Sequence, residues 1–125
     1  MDPNAHKKNL VNKFNKEEAI KKLKKEKFSR LVVSFYFFRK ISNISSLRDT
    51  LFLKFNDLNI KGRIYISREG VNAQASVPKQ NKIEFENYVK KIFDYKLLRF
   101  NYAITHNRLA FYKLTIKEKK ILSDG

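Results

Sequence analysis

A chain of 125 residues, 42% hydrophobic and 14% aromatic, holds enough apolar mass for one domain with an ordinary core. Its 28 lysines and arginines against 12 acids leave a net charge of +16, a balance that favours polyanions such as nucleic acid or an anionic membrane. Zero cysteines exclude disulfides, thiolate metal sites and a cysteine nucleophile from these residues.

Met1-Asp2-Pro3-Asn4 lacks the apolar core of a signal peptide, and no apolar run approaches the roughly 20 residues of a membrane span. A cytoplasmic protein without membrane partners is the expectation. Residues 1–29 read as a basic arm, partly helical or flexible, ahead of a domain over residues 30–125. Within the arm, Glu17–Lys27 has helical character, but Ala19, Ile20 and Leu23 make only a thin apolar stripe. Such an arm touches phosphates without selecting a sequence.

Leu31–Phe38 (LVVSFYFF) is a continuous apolar run of strand length, the pattern of a central strand buried on both faces. Ser46 followed by Asp49 resembles a capping box, and Leu47, Leu51, Phe55 and Leu58 then repeat at helical spacing. Gly62–Val77 alternates on both sides of a Glu69-Gly70 turn, which predicts a hairpin. Pro78 suits the first turn of a second helix, whose apolar stripe is Phe85, Tyr88, Val89, Ile92 and Phe93. Leu97–Thr105 and Leu109–Ile116 read as two further strands joined across His106-Asn107-Arg108.

The order is β-α-β-β-α-β with one extra strand. That predicts an α+β fold of the ferredoxin-like type, an antiparallel sheet with two helices on one face. The helix-covered face takes Leu31, Val33, Phe35, Ile64, Ile66, Val71, Ala73, Ala75, Leu98, Phe100 and Tyr102. By alternation the open face carries Ser34, Tyr36, Arg63, Tyr65, Asn72, Gln74, Arg99 and Asn101. A basic, amide-rich face with two tyrosines is how small domains of this topology hold RNA, by stacking bases and contacting phosphates. An ordinary solvated face, or one that docks another domain, is equally compatible with the same residues.

Gly70 is expected to supply a positive φ at the turn. Arg63, with its planar fork, is the best candidate for a phosphate or carboxylate contact. Asn72 and Gln74 share a face and either read a ligand or hydrogen-bond to Ser34 or Asn101. Glu69 pairs with Arg68 or with a partner's base. Lys61-Gly62 with Tyr65-Ile66 echoes an RNA-recognition signature, but Arg63 and Arg68 stand at its aromatic positions and the match falls on the second strand.

Phe35-Tyr36, Arg48, the run GRIYISREGVNAQASVP at 62–78 and FYKLTIKEKKILSDG at 111–125 together resemble the N-terminal domain of the bacterial rhodanese-type tRNA uridine hydroxylases. The similarity covers about residues 30–125, with Tyr36, Arg48, Gly62, Arg63, Glu69, Gly70, Asn72 and Gln74 as matching positions. The resemblance implies an acylphosphatase-like domain followed by a rhodanese domain. It also implies hydroxylation of the wobble uridine of tRNA to 5-hydroxyuridine, with molecular oxygen as co-substrate. The family's candidate catalytic cysteine belongs to the rhodanese domain, so this chain is expected to be an N-terminal part with no catalytic residue and no cofactor of its own. Its implied partners are tRNA and the downstream rhodanese domain. The rival expectation is a module that packs on that domain without touching RNA.

Acylphosphatases share the implied fold and use an arginine with an asparagine. Arg39 or Arg68 with Asn72 imitates that pair, but the loop Arg39–Asn43 has no glycine to bring backbone N–H groups together on a phosphate. His6 and His106 are isolated, without metal-ligand spacing.

Overall fold

The computed structural model describes residues 15–103 and 110–120. Helix α1 spans Lys16–Lys24, strand β1 Arg30–Phe38, helix α2 Ile44–Asp57, strand β2 Lys61–Ser67 and strand β3 Gly70–Pro78. A 3-10 turn at Lys79–Asn81 leads into helix α3, Lys82–Ile92, followed by the short strands β4, Asn101–Tyr102, and β5, Leu114–Glu118. Strand order is β4-β1-β3-β2-β5. The first four follow the ferredoxin-like arrangement with antiparallel neighbours, while β5 runs parallel to β2 and makes the sheet mixed.

Alternation on β1, β2 and β3 sends Val33, Phe35, Phe37, Ile64, Ile66, Val71, Ala73, Ala75 and Val77 into one core, which α2 meets with Leu51, Phe52 and Phe55 and α3 with Phe85 and Val89. At its centre Phe35, Phe85 and Phe100 sit in tilted or edge-to-face contact, with centroids 5.3–6.1 Å apart. Aromatic pairs prefer that geometry to a face-to-face sandwich.

Both long helices end in the same way. Asn59 and Asp94 adopt left-handed φ of 57° and 50°, and Ile60 N–H and Tyr95 N–H reach back to the carbonyls of Phe55 and Lys90. This is the Schellman closure, made here without glycine. Arg39 supports the second closure by donating to the carbonyls of Phe93 (2.7 Å) and Asp94 (2.5 Å) while its guanidinium lies over the Tyr95 ring.

Several boundaries depart from the sequence expectation. Helix α2 begins at Ile44, ahead of the Ser46–Asp49 pair, because burying Ile44 starts the helix three residues earlier than a Ser46 cap would; its N-cap Asn43 makes no side-chain cap. Pro78 is the last residue of β3, opposite Arg30, and not a helix residue. Leu98, Phe100 and Tyr102 do alternate toward the core, yet only Asn101–Tyr102 hydrogen-bond as a strand. The fifth strand begins at Leu114, five residues later than expected. Its predicted start at Leu109, the end of the fourth strand at Thr105, the junction His106-Asn107-Arg108 and His6 lie outside the described residues.

Helix α1 is capped by Asn15, whose side chain accepts from Glu18 N–H at 2.9 Å. Its thin stripe suffices for docking: Leu23 is 1% exposed and stands apart from the main core. The helix settles on the open face, at the end where β1 and β2 begin. There Arg30, 2% exposed, donates to both Glu26 carboxylate oxygens (2.7 and 2.8 Å) and to the Ser76 carbonyl (3.1 Å). Ser76 is buried, and burial beside Arg30 lowers the Lys61 ammonium below the usual lysine range.

Candidate nucleic-acid interface on the open sheet face

The strand registers assemble the open face row by row. One row runs Asn101, Ser34, Gln74, Arg63 and Thr115; the next runs Tyr36, Asn72, Tyr65 and Lys117. Phe38 stands in a third row opposite Gly70, and Lys119 reaches the same face, its ammonium 4.2 Å from the centre of the Tyr65 ring. Arg99 falls just ahead of β4. The burial of Leu98 and Phe100 on either side turns it, by alternation, to the open face as well.

Two close backbone approaches, each at a glycine, create this register. Gly70 has φ +151°, and a Cβ there would collide with the Phe37 carbonyl, so only glycine lets β3 leave the turn this close to β1. Gly62 at φ +144° meets the Gln74 carbonyl in the same way, which keeps β2 and β3 paired beneath Arg63. The turn is fastened by Glu69 N–H donating to Ser67 Oγ at 3.1 Å. Beyond β1, Arg39 N–H and Ile41 N–H donate to the carbonyls of Glu69 and Arg68.

Tyr36, Arg63, Asn72, Gln74, Arg99 and Asn101 are exposed and Tyr65 is half-buried. Among the described residues the side chains of Arg63, Asn72, Gln74 and Asn101 make no hydrogen bond to the protein, so the cross-sheet amide pairing with Ser34 or Asn101 does not form. Their donors and acceptors point outward together. The uncovered strand positions of the face carry Arg63 and Lys117 and no carboxylate, and Lys119 follows just beyond β5.

Alternation beyond Tyr36 also corrects the reading of β1. The strand is not buried on both faces: Tyr36 is 67% and Phe38 70% exposed, their rings edge to face with centroids 6.4 Å apart. Phe38 was hidden in the sequence by its apolar neighbours. Its position two residues after Tyr36 is the signal that places it on the open face.

The acylphosphatase-style pair is not assembled. Arg39 is bonded to the end of α3. Arg68 lines a cleft of about 510 Å³ with Ser42, Asn43, Ser46, Asp49 and Glu118, and Asn72 is not among the lining residues. Arg48, another motif position, joins α2 to β5 by donating to the Ile116 carbonyl at 2.9 Å and to Asp49 at 3.3 Å. No group of three His, Asp or Glu side chains with metal-holding geometry occurs among the described residues, and no described helix is long and apolar enough to cross a membrane.

Residues 30–121 match the family model of the UPF0176 acylphosphatase-like domain. The chain is 39% identical over 117 residues to a tRNA uridine(34) hydroxylase of Leptospira interrogans, covering 93% of this chain and 32% of that protein. It is 38% identical over 123 residues to the protein of the same name from Buchnera aphidicola subsp. Schizaphis graminum, covering 94% and 38% respectively. A third, from Wigglesworthia glossinidia brevipalpis, is 43% identical over 95 residues, or 74% of this chain and 30% of the relative. The chain thus spans about a third of the length of these relatives. Motif, sheet order and family model agree: the chain belongs to the family of the UPF0176 acylphosphatase-like domain.

Proposed function

We propose that this domain binds tRNA on its open sheet face and holds the anticodon loop for a catalytic rhodanese domain elsewhere in a longer hydroxylase. That protein would convert the wobble uridine to 5-hydroxyuridine with molecular oxygen in the cytoplasm. The observation that carries the reading is the face itself: outward-pointing amides and guanidinium groups without partners among the described residues, rings at its centre, and cations with no carboxylate on its strands. Arg63 and Arg99 supply forks for phosphate oxygens, and Lys117 and Lys119 add point charges on the β5 side. Asn72 and Gln74, on β3 between Arg99 on the β4 side and Arg63 on β2, offer donors and acceptors to base edges or ribose hydroxyls. The relatives' name supplies the substrate class. Chemistry is assigned to the other domain, because this chain has no cysteine.

The test is fluorescence anisotropy of labelled tRNA against the 125-residue chain at several salt concentrations. Arg63→Ala and Arg99→Ala should each weaken binding and flatten the salt dependence, by roughly 0.7–0.9 in log–log slope for each phosphate no longer neutralised. Absence of binding at low salt, or binding that neither substitution alters, rejects the proposal in favour of a face that packs on another domain.

A further inference from the structure

We infer that Tyr36 and Phe38 form a stacking platform that makes the open face a site for unpaired RNA, not for duplex. The inference rests on the proposed RNA-binding reading and sharpens it to a ligand conformation and two rings.

Phe38 has no polar atom to justify a water-facing position, yet it is 70% exposed beside a Tyr36 that is 67% exposed. Their planes stand 80° apart, so they do not stack on each other, and each keeps a π-face for another partner. Side chains two apart on a strand are spaced by about 6.6 Å along it, enough for each ring to take a separate, splayed base. Paired bases hide their faces in the duplex stack, whereas unpaired bases offer theirs.

The surroundings choose nucleic acid over an apolar protein surface. Tyr65, across the sheet from Tyr36 through Asn72, lies under the Lys119 ammonium, and Lys117 and Arg63 adjoin it on β5 and β2. The cores of protein interfaces are depleted of charge, whereas here cations line the β2–β5 side of the same face, one of them over Tyr65. Single-strand sites combine just these parts, aromatic platforms inside a cationic groove.

Helix α1 fixes the extent of the site. It closes the face at Arg30, Ser76 and Lys61, which leaves the Tyr36–Phe38–Tyr65 half open. The Tyr36 row crosses four strands, and three gaps of about 4.8 Å give a track about 14 Å wide. Such a track holds a few nucleotides, at the short end of the roughly 4–16 nucleotides bound by single-strand modules.

The experiment compares a ten-residue oligouridine with a blunt ten-base-pair RNA duplex, both titrated with the 125-residue chain. The variants are Phe38→Ala, Tyr36→Ala, their combination, and Phe38→Tyr. Because both rings are exposed, unchanged circular dichroism is expected for every variant. Oligouridine should bind more tightly than duplex. Each alanine should weaken it by about tenfold with the salt slope intact, as removal of one stacked base requires, and Phe38→Tyr should restore it. If the double variant binds oligouridine within twofold of the wild type while tRNA binding still depends on Arg63, the platform is overturned and the RNA-binding face survives. If the wild type prefers the duplex, or if the rings instead pair two copies of the chain and their removal yields monomers of unaltered RNA affinity, the inference is equally overturned.

Discussion

Replacing Arg30 with methionine tests whether α1 is a true part of the domain. The guanidinium makes two charge-assisted bonds to Glu26 at 2.7 and 2.8 Å and one to the Ser76 carbonyl at 3.1 Å, with its side chain fully shielded from water. Hydrogen bonds to charged groups contribute about 1.5–3 kcal/mol each, and removing one partner of a buried ion pair costs about 3–5 kcal/mol. Methionine refills the volume beside the Phe28 ring, over which the guanidinium lies at 5.5 Å, and Glu26, just past the end of α1, is able to turn toward water. Together these place the destabilisation near the lower bound, about 3 kcal/mol. Against a total of about 5–15 kcal/mol for a domain, that is a large fraction. In urea, with a slope of about 1–3 kcal/mol per molar, the midpoint falls by about 1–3 M. Glu26→Gln should cost less, and the double-mutant cycle should return a coupling of about 2 kcal/mol. A destabilisation under about 0.5 kcal/mol for Arg30→Met, or a coupling near zero, refutes the docking of α1 through this pair.

Gly70→Ala should lose at least about 2 kcal/mol in chemical denaturation, because its φ of +151° strains any side chain and the new methyl meets the Phe37 carbonyl. Asn59→Gly should gain about 0.5–1 kcal/mol by relieving the left-handed φ at the end of α2; a decrease would contradict the Schellman closure. Tyr102→Phe removes a 2.5 Å hydrogen bond to Glu86 and should cost about 1 kcal/mol. Burial first, and the Glu86 carboxylate second, push the Tyr102 phenol up from its ordinary 10.0. The folded state therefore holds this proton more tightly than the unfolded one, so its contribution is whole below about pH 10 and declines above it. Stability measured between pH 9 and 11 should fall less steeply in Tyr102→Phe than in the wild type.

Sequence made the hairpin and the open face legible because period-2 alternation from Arg63 to Val77 leaves one register compatible with a buried face. Helix α2 was legible for the same reason at period 3.6, through Leu51, Phe55 and Leu58. Its start was not, since Ser46–Asp49 mimics a cap while burial of Ile44 decides the boundary. The fourth strand alternated correctly at Leu98, Phe100 and Tyr102, but burial pattern alone does not reveal how few residues hydrogen-bond to β1. The docking of helix α1 was not legible, because one leucine and one ion pair hold it, and neither leaves a periodic trace. Phe38 was absorbed into an apolar run in which only alternate residues, Val33, Phe35 and Phe37, turn into the core. The resemblance located the motif and named the family, and the structure then separated residues that maintain the fold (Gly62, Gly70, Arg48, Arg39) from those that face outward (Arg63, Asn72, Gln74).

Amide chemical-shift mapping of the isotope-labelled chain with a uridine-containing anticodon stem-loop tests the central claim most directly. Binding at the open face predicts shifts clustered at Ser34, Tyr36, Phe38, Arg63, Tyr65, Asn72, Gln74 and Lys117, with the outer surfaces of α2 and α3 unmoved. Shifts confined to those helices or to the Ser42–Asp49 cleft, or no shifts at all, would contradict it.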